Sequence, residues 1–267
     1  MDERVISDEQ AAREKTLHNW YESIFCYWQQ LRIDKQYLSI SDRQVSKIPP
    51  EIALMKNLTS MTITHAGLLS IPPEIGQLTN LCGLFLHDNN ISTLPDEIGN
   101  LTNLTQLYVG GNEIRTLPKT LFNLQKLRKL GLSGNKLSTL PKEIGRLTNL
   151  EKLILSTNRL KTLPSTISKL TLLESLPLLG NKLSRFPLCI GKLAVENRLT
   201  DCGLLGNNLK PPRGMTYLNF CKFSYSLHKH ILIKKYYYKW RSIIINERGP
   251  KDDNEIYILQ TYLAAYT

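Results

Sequence analysis

Five asparagines, Asn89, Asn112, Asn135, Asn158 and Asn181, stand 23 residues apart without exception. A spacing kept that strictly means one structural unit is repeated, which restricts the chain to folds made by stacking like units. The surrounding residues repeat too. Around Asn89 the frame is Leu81, Leu84, Leu86, Asn89, Ile91, Pro95, Ile98 and Leu101, and the same positions recur through four further units. Weaker units extend the array. Leu58, Met61 and Ile63 fit the frame with Ala66 in place of asparagine, and Leu38 and Ile40 begin another. At the far end Asn207 stands three positions later than the period after Asn181 predicts, so an insertion falls near 194–198. Eight units are expected over roughly 36–212.

Elementary physics turns this frame into a fold. Alternating leucines predict a short strand with one buried face. A strand that short cannot bury its face alone, so each unit must stack on the next around a shared leucine core with a parallel sheet. The asparagine amide can both donate and accept, which suits it to satisfying loop backbone of adjacent turns. Asn89, Asn112, Asn135, Asn158, Asn181 and Asn207 are therefore expected to form a structural ladder. Each proline suits the start of a short helix on the return path. Gly76, Gly99, Gly145 and Gly191 read as tight-turn residues, and Gly110, Gly111, Gly131 and Gly134 as an opening in the strand face.

The frame Leu-x-x-Leu-x-Leu-x-x-Asn-x-Leu, completed by Leu-Pro-x-x-Ile-Gly-x-Leu, resembles the leucine-rich-repeat family. It is most similar to the intracellular branch with 23-residue units that includes Ras-group, Scribble-like and Shoc-type proteins. The resemblance implies an α/β solenoid, curved like a horseshoe, with a parallel concave sheet, short helical or irregular convex segments and helical caps at both ends. It also implies a non-catalytic scaffold or adaptor in signalling, with a small GTPase, a phosphatase or another signalling protein as partner.

Three segments follow. Residues 1–35 read as an N-terminal helical cap, with Leu17, Trp20, Ile24, Tyr27, Trp28 and Leu31 at helical spacing over 8–34. Residues 36–212 form the solenoid. Residues 213–267 are a C-terminal cap or a basic-aromatic tail. In that tail Lys234, Lys235 and Lys239 lie among aromatic residues, a pattern that also fits an anionic membrane surface or nucleic acid. A recruiting effector with a separate C-terminal activity is a further alternative.

Strand residues between the leucines are expected on the concave face. Phe85, Tyr108 and Ile154 are large apolar groups that no repeat rule requires, and His87, Gln106, Lys129 and Lys152 flank them. Together they are the candidate partner-binding residues.

The net charge is +11, divided as −2 over 1–35, +8 over 36–210 and +5 over 211–267. Such diffuse charge favours acidic partners without specifying one. The acidic start lacks an apolar leader core, and no apolar run reaches the roughly 18–20 residues that cross a bilayer. The expectation is a cytoplasmic monomer. Five scattered cysteines without a Cys-x-x-Cys pair argue against a disulfide framework or zinc site. Cys202 takes a leucine position and reads as a small buried residue. His228 and His230 lack a third ligand, and His87 lacks a nucleophile at any recognisable motif. No enzyme activity, metal or cofactor is expected. Asn-x-Thr/Ser triplets at Asn57, Asn90, Asn100 and Asn103 are by-products of the repeat.

Overall fold

The computed structural model describes residues 3–24, 35–184, 187, 190, 193, 199 and 201–209. The chain divides into two compact units, Met1–Lys126 and Leu127–Thr267.

The first unit opens with helix α1 (Glu3–Ile24). It begins earlier than the sequence predicts, and 25–34, with Tyr27, Trp28 and Leu31, lie outside the described residues. The helix packs against the first return segment. Leu17 is fully buried, and the Trp20 indole N–H donates to the Lys47 carbonyl at 2.9 Å.

Strands β1 (Tyr37–Ser41), β2 (Ser60–Thr64), β3 (Gly83–Phe85) and β4 (Gln106–Tyr108) follow. They pair in parallel with Leu38 beside Met61, Met61 beside Leu84 and Leu84 beside Leu107. Every partner lies one repeat further along the chain, so the sequence period is the sheet register. In the second unit β5 (Lys129–Gly131) pairs with β6 (Lys152–Ile154) in the same way. Single bridges then carry Lys152 to Ser175 and Ser175 to Asp201. The last step contains the insertion, and the pairing restores its register beyond it. Frame leucines and isoleucines are excluded from solvent, among them Leu81, Leu84, Leu86, Ile91, Ile98 and Leu101. Cys202 is buried at a leucine position, with 1% exposure.

The return segments are 3-10 turns of five residues: η1 (Pro50–Leu54), η2 (Pro73–Gln77), η3 (Asp96–Asn100) and η4 (Lys119–Asn123) in the first unit, η5 (Lys142–Arg146) and η6 (Ser165–Lys169) in the second. Bonds such as Ile98 N–H to Pro95 O and Leu101 N–H to Ile98 O close i to i−3 rings. So short a segment takes the tighter helix. Pro95, Pro118, Pro141 and Pro164 sit one residue before these turns, with φ between −60° and −69°. Only where two prolines adjoin does the second, Pro50 or Pro73, enter the turn itself.

The glycines play two roles. Gly76, Gly99 and Gly145 lie within the 3-10 turns, as expected, and do so without positive φ. A Cβ on each would stand 2.6 Å from the carbonyl oxygen of Glu97, Thr120 and Thr166 in the next turn. Their role is to let neighbouring return segments touch. Gly111 and Gly134 do more than leave space: both hold φ near +60°. The residue before the asparagine position adopts this left-handed conformation in all eight units, at Asp42, His65, Asp88, Gly111, Gly134, Thr157, Gly180 and Gly206.

Candidate functional site

The bend after each strand is held by the asparagines. Asn89, Asn112, Asn135, Asn158 and Asn181 are 4–6% exposed. The Asn158 Oδ1 accepts from Leu137 N–H at 3.1 Å. Its Nδ2 donates to Leu132 O at 2.9 Å and Leu155 O at 3.1 Å. Asn181 and Asn207 repeat the pattern, donating to Leu155 O and Leu178 O of the preceding turn. In the first unit Asn112 Oδ1 accepts from Ile91 N–H. Asn89 Oδ1 accepts from both Ala66 and Leu68 N–H, so the series ends where alanine replaces asparagine. Asn135 donates to Leu132 O within its own turn. This scaffold fixes which strand residues face outward.

In the first unit the outward positions bring Phe85 and Tyr108 side by side. Their rings stack, with centroids 5.6 Å apart and planes 12° from parallel. Both are half-buried. The Phe85 ring lies over Gly83, where a Cβ would stand 2.8 Å from Cε2. Gly83 therefore lets the ring lie flat along its strand. Burial pushes the Tyr108 phenol above its usual pKa of 10.0. Half-buried Gln106 pairs with Gly83 in the strand register. Just beyond the strands His87 meets His65 edge to face at 6.3 Å, and His65 Nε2 lies 3.4 Å from Asp88 Oδ2. The sequence reading missed His65 and Asp88. Their left-handed φ would not show in the sequence, and the imidazole pair comes from neighbouring turns that only the stacking brings together.

The second unit holds the remaining candidates. Lys129 and Lys152 are directly opposite on β5 and β6, and half-buried Ile154 is opposite Gly131. Arg128, just before Lys129, pairs with Glu151. Ser175 donates its hydroxyl to the Asp201 carboxylate at 3.0 Å. Leu179 and Leu205 are 36% and 41% exposed. They occupy outward positions that hold serine at 133 and 156, and the sequence reading left them out of the candidate set. No group of three or more His, Cys, Asp or Glu among the described residues could hold a metal ion.

Stacked 23-residue turns, a leucine interior and a buried asparagine series are the features of a leucine-rich-repeat fold. The leucine-rich-repeat family model matches residues 56–114, 102–160 and 125–183. A comparison with curated protein sequences finds no match. Among solved structures, a leucine-rich-repeat protein of Leptospira interrogans is 31% identical with a TM-score of 0.53, covering 72% of this chain and 52% of that one. The plant peptide hormone receptor RGFR1 in complex with RGF2 is 37% identical, with a TM-score of 0.58 over 64% of this chain and 28% of the receptor. An internalin of Listeria monocytogenes is 26% identical, with a TM-score of 0.58 over 68% of this chain and 51% of that one. The chain spans about half the length of the bacterial structures and less of the receptor.

Proposed function

We propose that this chain is a non-catalytic scaffold that binds a partner protein on its outward strand face. The observation that carries this reading is the Phe85–Tyr108 stack, two large rings held half-exposed on rigid strands. Rigid aromatic anchors lose little conformational freedom on binding and suit the centre of a protein interface. His87 and Gln106 border the stack. Lys129, Lys152 and Ile154 supply a charged and apolar contact on the second unit. The similarity to a receptor solved in complex with RGF2 supports a binding role.

The finer assignments are part of the same proposal. The chain belongs with the intracellular 23-residue branch, acts in the cytoplasm as a monomer, and captures a small GTPase, phosphatase or similar signalling protein. Helix α1 caps the first turn through Leu17 and Trp20, whereas residues 213–267, read in sequence as a cap or a basic-aromatic tail, lie outside the described residues.

Affinity capture from the native cell with the intact chain and with Phe85→Ala/Tyr108→Ala tests the reading. The double variant is expected to unfold as the parent does and to lose a specific, saturable partner. An unchanged set of captured proteins would refute it.

A further inference from the structure

Charge separates along the repeats once the two units are distinguished. Residues 36–126 carry six basic and seven acidic side chains, whereas 127–184 carry ten basic and three acidic. The excess that looked diffuse in sequence is therefore a property of the second unit. On its strand face Lys129 and Lys152 stand opposite each other on adjacent strands. Like charges so placed repel. Of the nearby acids, Glu151 pairs with Arg128 and Asp201 accepts the Ser175 hydroxyl. Beside the lysines, Ile154 and Pro177 are half-buried and Leu179 and Leu205 are exposed. Past the asparagine bend, exposed Arg159 and Lys182 occupy equivalent positions in successive turns. An aliphatic strip thus runs across the turns between a lysine pair and a cationic rim.

We infer that the strand face of the second unit binds an extended acidic segment of a partner protein, in which carboxylates alternate with aliphatic side chains. Carboxylates relieve the Lys129–Lys152 repulsion and meet Arg159 and Lys182 at the rim. Aliphatic side chains cover Leu179, Leu205 and Ile154. A nucleic acid fits less well, because the strip offers no aromatic ring on which a base would stack. This deepens the protein-binding reading above, but rests on residues separate from the Phe85–Tyr108 stack.

The test measures fluorescence anisotropy of the full chain with a labelled peptide made of six glutamate–leucine pairs. The comparison probes are a glutamate–serine peptide of equal length, oligo-dT of matched length and phosphatidylserine vesicles. The glutamate–leucine peptide is expected to bind most tightly and to weaken as salt rises from about 50 to about 300 mM. Lys129→Glu/Lys152→Glu should weaken it about ten-fold, the equivalent of two exposed charge pairs. Lys129→Arg/Lys152→Arg should restore binding, and Leu179→Ser/Leu205→Ser should lower it with little change in salt dependence. Lys142→Glu/Lys169→Glu, on the 3-10 turns, should leave it unchanged. Urea transitions check that each variant is folded. Equal loss in the turn variant, equal binding of the serine peptide, tighter binding of oligo-dT or vesicles, or no binding of the leucine peptide would each overturn the inference. Loss of the native partner in Phe85→Ala/Tyr108→Ala is read separately, so either proposal can fail alone.

Discussion

Removing the amide of Asn158 tests what the asparagine series contributes, because its bonds show which groups would be orphaned. Leu132 O accepts from Asn158 at 2.9 Å and also from Asn135 at 3.1 Å. Leu155 O accepts from Asn158 at 3.1 Å and from Asn181 at 2.9 Å. Each carbonyl therefore keeps one asparagine donor in Asn158→Ala. The Leu137 N–H does not, since its partner is the Asn158 Oδ1 that the substitution removes. One buried orphaned N–H costs about 1–3 kcal/mol, and two weakened carbonyls add roughly 0.5–1 kcal/mol each. The expected loss is about 2–5 kcal/mol, seen as a fall of about 1–2 M in the urea midpoint of tyrosine and tryptophan fluorescence. Asn158→Asp separates hydrogen bonding from volume. A carboxylate can still accept from Leu137 N–H but would set an oxygen against the Leu132, Leu155 and Ser156 carbonyls. At neutral pH it should therefore be less stable than Asn158→Ala. Burial among carbonyls raises the pKa of this new carboxyl in the folded state, so folding takes up a proton. Stability should recover as pH falls through that raised value and be lost again as pH rises. An alanine variant within about 0.5 kcal/mol of the parent, the low end for a single hydrogen bond, would refute the accounting. So would an aspartate variant with no recovery at low pH.

Other positions make separate tests. Gly99→Ala would put its Cβ 2.6 Å from the Thr120 carbonyl oxygen and 2.7 Å from the Thr120 Cβ. The expected cost is about 1–3 kcal/mol, measured by urea unfolding. Thr157 is a β-branched residue at φ 55°, so Thr157→Gly should stabilise by about 1 kcal/mol, against a loss of similar size for Gly134→Thr. The Tyr108 phenol ionises above 10.0 because of burial, so the folded state holds its proton longer than the unfolded chain. Its contribution is fully present below the unfolded pKa and lost as pH rises through the folded value. Tyr108→Phe should therefore lose less stability than the parent above about pH 10, which alkaline thermal melts would show.

The parts of this fold legible in sequence are those governed by the period. The buried frame, parallel pairing and asparagine spacing all follow from one repeat rule, because a shared core forces equivalent positions into equivalent places. The helix type of the return segments was not legible: segments this short give a 3.6-residue period no room to declare itself. Gly83 could be read as an open position, but its relation to Phe85 depends on how that ring lies along the strand. For the site, Phe85 and Tyr108 stood out because no repeat rule called for an aromatic ring there. Leu179 and Leu205 did not, since leucine in a leucine-filled chain carries no signal until its exposure is known. The charge of the second unit stayed hidden while the repeats were counted as one block.

The residue before each asparagine position shows most clearly how the fold constrains the sequence without fixing it. Asp42, His65, Asp88, Gly111, Gly134, Thr157, Gly180 and Gly206 share a conformation but little chemistry. Glycine enters the left-handed region without a steric penalty, and aspartate and histidine enter it more readily than most other side chains. The bend selects for tolerance of that backbone, and several side chains meet the requirement. Where the tolerant residue also carries a functional group, the bend places it just beyond the strand, as with His65 and Asp88, whose side chains meet at 3.4 Å. Thr157 meets the requirement worst, so the stacked core around it must hold the backbone against the local preference of threonine. Relieving it with glycine should therefore raise stability without altering the register of β6.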